Sequence, residues 1–305
     1  MVTQFWRNWI QAGFFVLFVL APPLDIFRLD LNLGHFILFG HNWTLGLEPF
    51  QQGLIGSAEA IFNLITRGFL PIALVIITGV WVSWKYGRLY CGWLCPHFSV
   101  VEMINRLMRR ASGKPSIWER QPLPEEQPDG STIKPDVRYW FVVGIAVIGF
   151  AFLWAISLLT YLITPSEVYS NLLNGSLTRF QGIFLFAGTL VLSIEFLFAR
   201  HLFCRFGCAI GLFQSLAWMG NHQAMVVGFE RGRSSLCRSC QNQCDNACPM
   251  RLRPRLAKRR MFTCTQCSQC IDACDEVNTG MSLLRWVSGK EAEIVAERRS
   301  TNTET

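Results

Sequence analysis

Eight cysteines crowd into the 38 residues from Cys237 to Cys274, and four more stand in two matched pairs upstream. No other feature of this 305-residue chain restricts its fold so tightly. The second block, CTQCSQCIDAC, has the spacing C-x-x-C-x-x-C-x-x-x-C. That is the spacing of a four-iron, four-sulfur cluster segment. The first block, CRSCQNQCDNACP, is one residue longer between Cys240 and Cys244. A cubane needs four thiolates arriving from several directions, three from a tight loop and one from farther away. In two-cluster segments the last cysteine of each block serves the other cluster. That rule assigns Cys237, Cys240, Cys244 and Cys274 to one cluster and Cys248, Cys264, Cys267 and Cys270 to the other. Disulfides would need an oxidising compartment, and the charge distribution below argues against one. Zinc takes two well-separated C-x-x-C pairs, unlike these two consecutive four-cysteine blocks.

The remaining composition points to a membrane. Hydrophobic residues make up 51% of the chain and charged residues only 16%, with a mean hydropathy of +0.28. Apolar stretches predict four spanning helices at about 10–24, 69–84, 139–163 and 183–198, judged against the roughly 20 residues a span needs. Trp6, Trp9, Trp81, Trp84 and Trp140 sit near their ends, where interfacial aromatics belong. The first stretch has no small-x-small cleavage site and reads as a retained helix. Of 28 basic residues, all but Arg28, Arg67 and Arg179 fall in segments expected on one side. The positive-inside rule makes that side cytoplasmic, with both termini and all twelve cysteines. The basic tract 251–260 then meets anionic lipid or an acidic partner rather than nucleic acid.

The four upstream cysteines reveal a duplication. RLYCGWLCPHFSVVEMI (88–104) follows the second stretch and RHLFCRFGCAIGLFQSL (200–216) follows the fourth. Each has a basic residue, an aromatic, C-x-x-x-C and then a helical pattern, so the membrane part reads as a repeated unit. Parallel repeats bring Cys91, Cys95, Cys204 and Cys208 to one face, where they could share a third metal centre. Structural thiols, thiol–disulfide exchange and copper binding are the alternatives.

The expected fold is mainly α: a four-helix transmembrane bundle of two parallel helix-pair repeats, carrying a small cytoplasmic α+β two-cluster ferredoxin-like domain. Boundaries follow: a membrane domain at 1–216, a linker at 217–233, the cluster domain at 234–287 and a flexible tail at 288–305. The outer loop 27–43 suggests a strand or ribbon, 52–66 an outer amphipathic helix, and 86–110 a helix followed by an irregular linker.

Glu195 lies in the fourth stretch. An acid there is a functional candidate by default, for proton uptake or a quinone site, and the plainer reading pairs it with Arg88 or Arg200. His35 and His41 read as polar loop residues, while His97 and His201 are candidates for tuning a nearby centre. Arg238, Arg251 and Arg253, beside the cluster loops, would favour a more reduced state. No phosphate loop, dinucleotide fingerprint or nucleophile triad is present, so no catalytic residue is assigned.

Taken together, Cys91-Gly-Trp-Leu-Cys95-Pro96, the later Cys204–Cys208 pair and the double four-cysteine block resemble the membrane polyferredoxins. That family includes NapH-type quinol dehydrogenase subunits, the membrane part of NosR-type proteins and the oxidase accessory proteins called CcoG, FixG or RdxA. The resemblance covers most of residues 1–287, although Ala209 stands where the first pair has a proline. It implies two [4Fe-4S] clusters, with a further cluster or copper at the C-x-x-x-C pairs. The implied role is electron relay between a quinol or cytoplasmic-side donor and a redox partner in a membrane complex. The rival is an assembly factor that reduces or carries copper for a haem–copper oxidase.

Overall fold

The computed structural model describes residues 2–127, 130–199, 201–238 and 240–297. They form two compact units, one drawn from the described residues of 2–15, 82–147 and 194–297, the other of residues 16–81 and 148–193.

Among the described residues, three helices are long and apolar enough to cross a membrane: Ser57–Tyr86, Tyr139–Leu162 and Arg179–Phe198. Only 6% of the most apolar window of Ser57–Tyr86 is buried inside the protein. Ile72, Val75 and Ile77 are outward-facing on it, which is stable only against lipid. The stretch 52–66 is not a separate outer helix. From Ser57 it runs into the span through a π-helical turn, Ile65–Phe69. The helix at the N-terminus is Val2–Leu20 rather than 10–24. Its first turns carry Gln4, Arg7, Asn8 and Gln11, and the chain turns at Pro22 and Pro23, so its unbroken apolar stretch is short.

The second unit holds a three-stranded antiparallel sheet of β1 (Phe27–Asp30), β2 (His35–Leu38) and β3 (His41–Trp43). Buried Arg28 donates to Asp25 at 2.6 Å and to Asp30 at 2.5 Å, and Thr164 donates to Asp30 at 3.1 Å. Ile156, Leu159, Val168 and Leu185 form its core. His35 and His41 lie on the sheet; His35 Nδ1 is 3.1 Å from the Leu33 carbonyl.

The first unit surrounds the cysteines. Helix Pro96–Ser112 has proline in its first turn, which sets φ for helix entry, and ends at left-handed Gly113 (φ 72°). Its Phe98, Val101, Ile104 and Met108 recur at helical spacing and are fully buried. Val226–Phe229, in the expected linker, is strand β4, paired antiparallel with β5, Leu284–Val287. The expected tail contains a helix, Lys290–Glu297, whose Ala292 and Val295 pack into the same core as Phe98, Trp218 and Val226. The rest of that tail, 298–305, lies outside the described residues.

Candidate metal centres

All twelve cysteines lie in the first unit, and all are free thiols. Cys237, Cys240, Cys244 and Cys274 line one cavity, together with Phe229 and Arg255, around about 300 Å³ of atom-free space. Cys248, Cys264, Cys267 and Cys270 line a second, with Val227, Met250, Met261 and Trp286, around about 380 Å³. Each cavity therefore takes three cysteines from one block and one from the other.

The backbone explains how short loops wrap these spaces. Gln266 (φ 56°) and Ser268 (φ 64°) in the second block are left-handed, as are Gln241 (φ 47°) and Asn242 (φ 57°) in the first. Such residues among right-handed ones turn successive N–H groups to one concave side, a natural anion cradle. The additional residue between Cys240 and Cys244 is absorbed by the consecutive left-handed pair, which leads into the short helix Gln243–Ala247. Leu252 N–H donates to Cys248 Sγ and Leu283 N–H to Cys274 Sγ, both at 3.4 Å. Burial pushes the Cys244, Cys248 and Cys264 thiols up to about 12. A thiol so placed becomes a thiolate readily only beside strong positive charge, which coordinated metal ions supply.

The two C-x-x-x-C pairs share a local build. Cys91 lies in the short helix Leu89–Trp93, and Cys204 in the π turn Phe203–Gly207. Cys95 (φ −62°, ψ 115°) and Cys208 (φ −81°, ψ 109°) each cap a helix, Pro96–Ser112 and Ala209–Met219. Helix N-termini present free N–H groups and positive dipole to an anion. The N–H groups of Phe98 and His97 face Cys95 and favour its thiolate, against the larger opposing effect of burial. Burial, then Cys95, raises Cys91 to about 12, with Cys208 adding and Arg88 opposing. Cys204 is raised by burial and by Cys95, Cys91 and Cys208. Thiols from two distant segments thus lie within electrostatic reach of one another.

The gathered turn sits against the second cysteine block. Gly92 lies so close that a Cβ there would stand 2.1 Å from the Thr265 carbonyl oxygen. Trp93 Nε1 donates to the Gln266 carbonyl at 3.0 Å. On its other side the Gly92 carbonyl accepts from Arg7 at 3.2 Å and Gln11 at 3.0 Å. Arg7 also makes a two-pronged ion pair with buried Glu102, at 2.6 and 3.0 Å, and Gln269 donates to the same carboxylate.

Glu195 opens a π turn, Glu195–Ala199, and its partner is His97, with Oε1 2.9 Å from Nε2. Arg88 is instead bonded to Ser215 and Cys204, and Arg200 lies outside the described residues. His201 contacts Asn105, Nε2 to Nδ2 at 3.2 Å. Of the basic residues expected beside the clusters, Arg251 pairs with Glu119 at 3.0 Å, and the Arg238 side chain lies outside the described residues. The cation that lines the Cys237 cavity is Arg255, held by Asn242 and Asp245 at 2.9 Å. Spacing gave no hint of Arg255, Arg7 or Glu102, because their roles come from partners outside their own motifs.

An all-thiol donor set, walls that exclude water and N–H groups aimed at sulfur fit iron–sulfur clusters. So does Arg88 Nη2, a buried donor with no hydrogen-bond partner among the described residues, within electrostatic reach of Cys91, Cys204 and Cys208. Among the described residues, no three His, Cys, Asp or Glu side chains converge as the ligands of a single ion do. A larger cavity with many polar groups on its wall, about 1370 Å³ of atom-free space, opens beside Cys248, bordered by Arg7, Glu102, Arg106, Arg109 and Gln269.

Comparison with known proteins agrees with this chemistry. A family described as "4Fe-4S binding domain" matches residues 67–115 and 178–223, the two copies of the repeat that carry Cys91/Cys95 and Cys204/Cys208. YccM of Escherichia coli (strain K12), an electron transport protein by description, is 25% identical over 260 residues, covering 81% of this chain and 66% of YccM. The chain thus spans just under two thirds of that relative's length. The ferredoxin-type protein NapH of Haemophilus influenzae (strain ATCC 51907 / DSM 11121 / KW20 / Rd) is 24% identical over 285 residues, 89% of this chain and 86% of its own. NapH of Escherichia coli (strain K12) is 24% identical over 309 residues, covering 94% of each chain. No solved structure matches the chain.

Proposed function

We infer that this chain, which belongs to the membrane polyferredoxins, holds three four-cysteine iron–sulfur centres and relays single electrons from a quinol or cytoplasmic-side donor to a redox partner in a membrane complex. The observation that carries this reading is the sorting of eight cysteines into two cavities of four; the mutual electrostatic influence of the other four supports a third set. A bound [4Fe-4S] cluster supplies one-electron exchange with little rearrangement. The residues of this chain hold the sulfurs, exclude water and set local charge. Cys237, Cys240, Cys244 and Cys274 would hold the first cluster. Cys248, Cys264, Cys267 and Cys270 would hold the second, and Cys91, Cys95, Cys204 and Cys208 the third.

The sidedness follows from charge. With 24 of 28 basic residues in the two segments that flank the cysteines, the first unit is cytoplasmic. Arg7 pairs with Glu102 within that unit, which supports an N-terminus on the same side. Helix Val2–Leu20 then crosses as a fourth span, and the three-stranded sheet faces outward. The cavity beside Cys248 offers the second cluster an accessible edge.

Iron and sulfide analysis of the purified full-length protein is expected to give roughly twelve irons per chain, four for each cubane. Cys91→Ala and Cys204→Ala should each remove the same signal from the EPR spectrum of the reduced protein. Cys248→Ala should silence the signal lost in Cys264→Ala, not the one lost in Cys237→Ala. Two or fewer irons would sink the cluster reading. Copper bound stoichiometrically at Cys91 and Cys95, with no quinol oxidation in lipid, would favour the assembly-factor role.

A further inference from the structure

Arg88 is completely buried, yet among the described residues no carboxylate pairs with it. Its Nε donates to Ser215 Oγ at 2.5 Å and its Nη1 to the Cys204 carbonyl at 2.8 Å. Ser215 Oγ passes the contact on, donating at 2.6 Å to the carbonyl of Phe262, two residues before Cys264. The third arm, Nη2, is buried with no hydrogen-bond partner among the described residues. Gly211 packs on the guanidinium, where a Cβ would stand 3.3 Å from Nη1. A buried cation held only by neutral groups is costly unless negative charge faces it. The charges that reach Arg88 are those of Cys91, Cys204, Cys208 and Cys264. Three of these belong to the C-x-x-x-C set and one to the Cys248, Cys264, Cys267 and Cys270 set.

We propose that Arg88 is a positioning residue, the shared counter-charge of two centres, which stabilises the more negative, reduced state of both and ties their potentials together. This rests on the three-centre reading above. The guanidinium cannot lose its proton at ordinary pH, so its effect is a fixed field rather than a titration. Arg255 plays the separate part of countercation at the Cys237 cavity, where it opposes the rise of Cys237 and Cys244.

EPR-monitored redox titration of the full-length protein in lipid tests this, with iron per chain counted for every variant. Arg88→Gln keeps an amide donor and removes the charge. It should shift two of three signals to lower potential, each by at least tenfold in its reduction equilibrium, which is about 59 mV for a one-electron couple. The third signal should not move. Arg255→Met should likewise lower a potential, but only that of the third signal. Arg88→Lys keeps the charge without the fork and should give a smaller shift confined to the same two signals. If Arg88→Gln loses iron, Arg88→Met repeats the test, and if both lose it, Arg88→Lys carries it alone. Unshifted potentials, or an equal shift of all three signals, overturn the proposal. Wild-type protein with roughly eight irons and two signals would refute the third centre instead. Arg88→Gln must then still move the signal that Cys264→Ala removes.

Discussion

Gly92→Ala is expected to undo the docking of the first C-x-x-x-C turn and, on the three-centre proposal, to lower iron per chain by roughly a third, one cubane of three. The added methyl would lie 2.1 Å from the Thr265 carbonyl oxygen and 3.3 Å from its Cβ. A side-chain neighbour could rotate away, but a carbonyl inside a cysteine loop cannot without moving that loop. The turn cannot retreat either, since the Gly92 carbonyl is held by Arg7 and Gln11 and Trp93 by the Gln266 carbonyl. Overpacking typically costs about 1–3 kcal/mol, and a backbone-to-backbone approach pinned on both sides belongs at the top of that range. Thermal unfolding and iron analysis read the effect. Gly144→Ala, where a Cβ meets nothing within 4 Å, is the control and should behave as wild type. A Gly92→Ala protein with full iron and an unchanged midpoint would refute the close approach.

Arg7→Met should be comparably damaging for a different reason. The Arg7 and Glu102 side chains are 1% and 6% exposed, and removing one partner of a buried pair costs about 3–5 kcal/mol by stranding the other charge. Burial alone would raise the Glu102 pKa, but the hydrogen bond and charge of Arg7 outweigh it and hold the carboxyl below its ordinary value of 4.5. A depressed carboxyl contributes stability that is full above that ordinary value and is lost as pH falls through the folded-state pKa. In Arg7→Met the largest opposing pull on burial is gone, leaving only the weaker ones of Arg106 and His201; the sign reverses, so the variant should gain stability as pH falls from neutral toward 5. The double variant Arg7→Met/Glu102→Leu should recover most of the loss, because no charge is left stranded. Unfolding midpoints at several pH values check both statements. A single variant whose stability falls with pH as the wild type's does would refute the buried pair.

Local patterns in the chain were readable and distant partnerships were not. Cysteine spacing encodes loop geometry, so the left-handed Gln266 and Ser268 have their counterpart in the tight C-x-x-C steps. The apolar length of 139–163 marked a helix that runs Tyr139–Leu162. Hydropathy failed at the N-terminus because it scores what a residue avoids and not what it meets. Gln4 and Arg7 look like interruptions of a span until the Cys267 carbonyl and Glu102 are placed against them. Strand β4 was hidden for a related reason. Four apolar residues, VVGF, are ambiguous alone, and their partner LRWV lies more than fifty positions downstream. The irregular first block looked like a departure, yet Gln241 and Asn242 accommodate its additional residue within the loop.

The exchange of last cysteines between the two cavities bears on how such a protein is made. Cys274 closes the cavity begun at Cys237, and Cys248 closes the one completed at Cys270. A nascent chain that has emerged only through residue 263 offers three thiols of one set and a single thiol of the other. On the cluster proposal, loading must wait until the second block has been synthesised, after which the two sites become complete four residues apart, at Cys270 and Cys274. A proteolytic cut between the blocks would, by the same interlock, cost the molecule both sites rather than one, so partly built forms have no stable resting place.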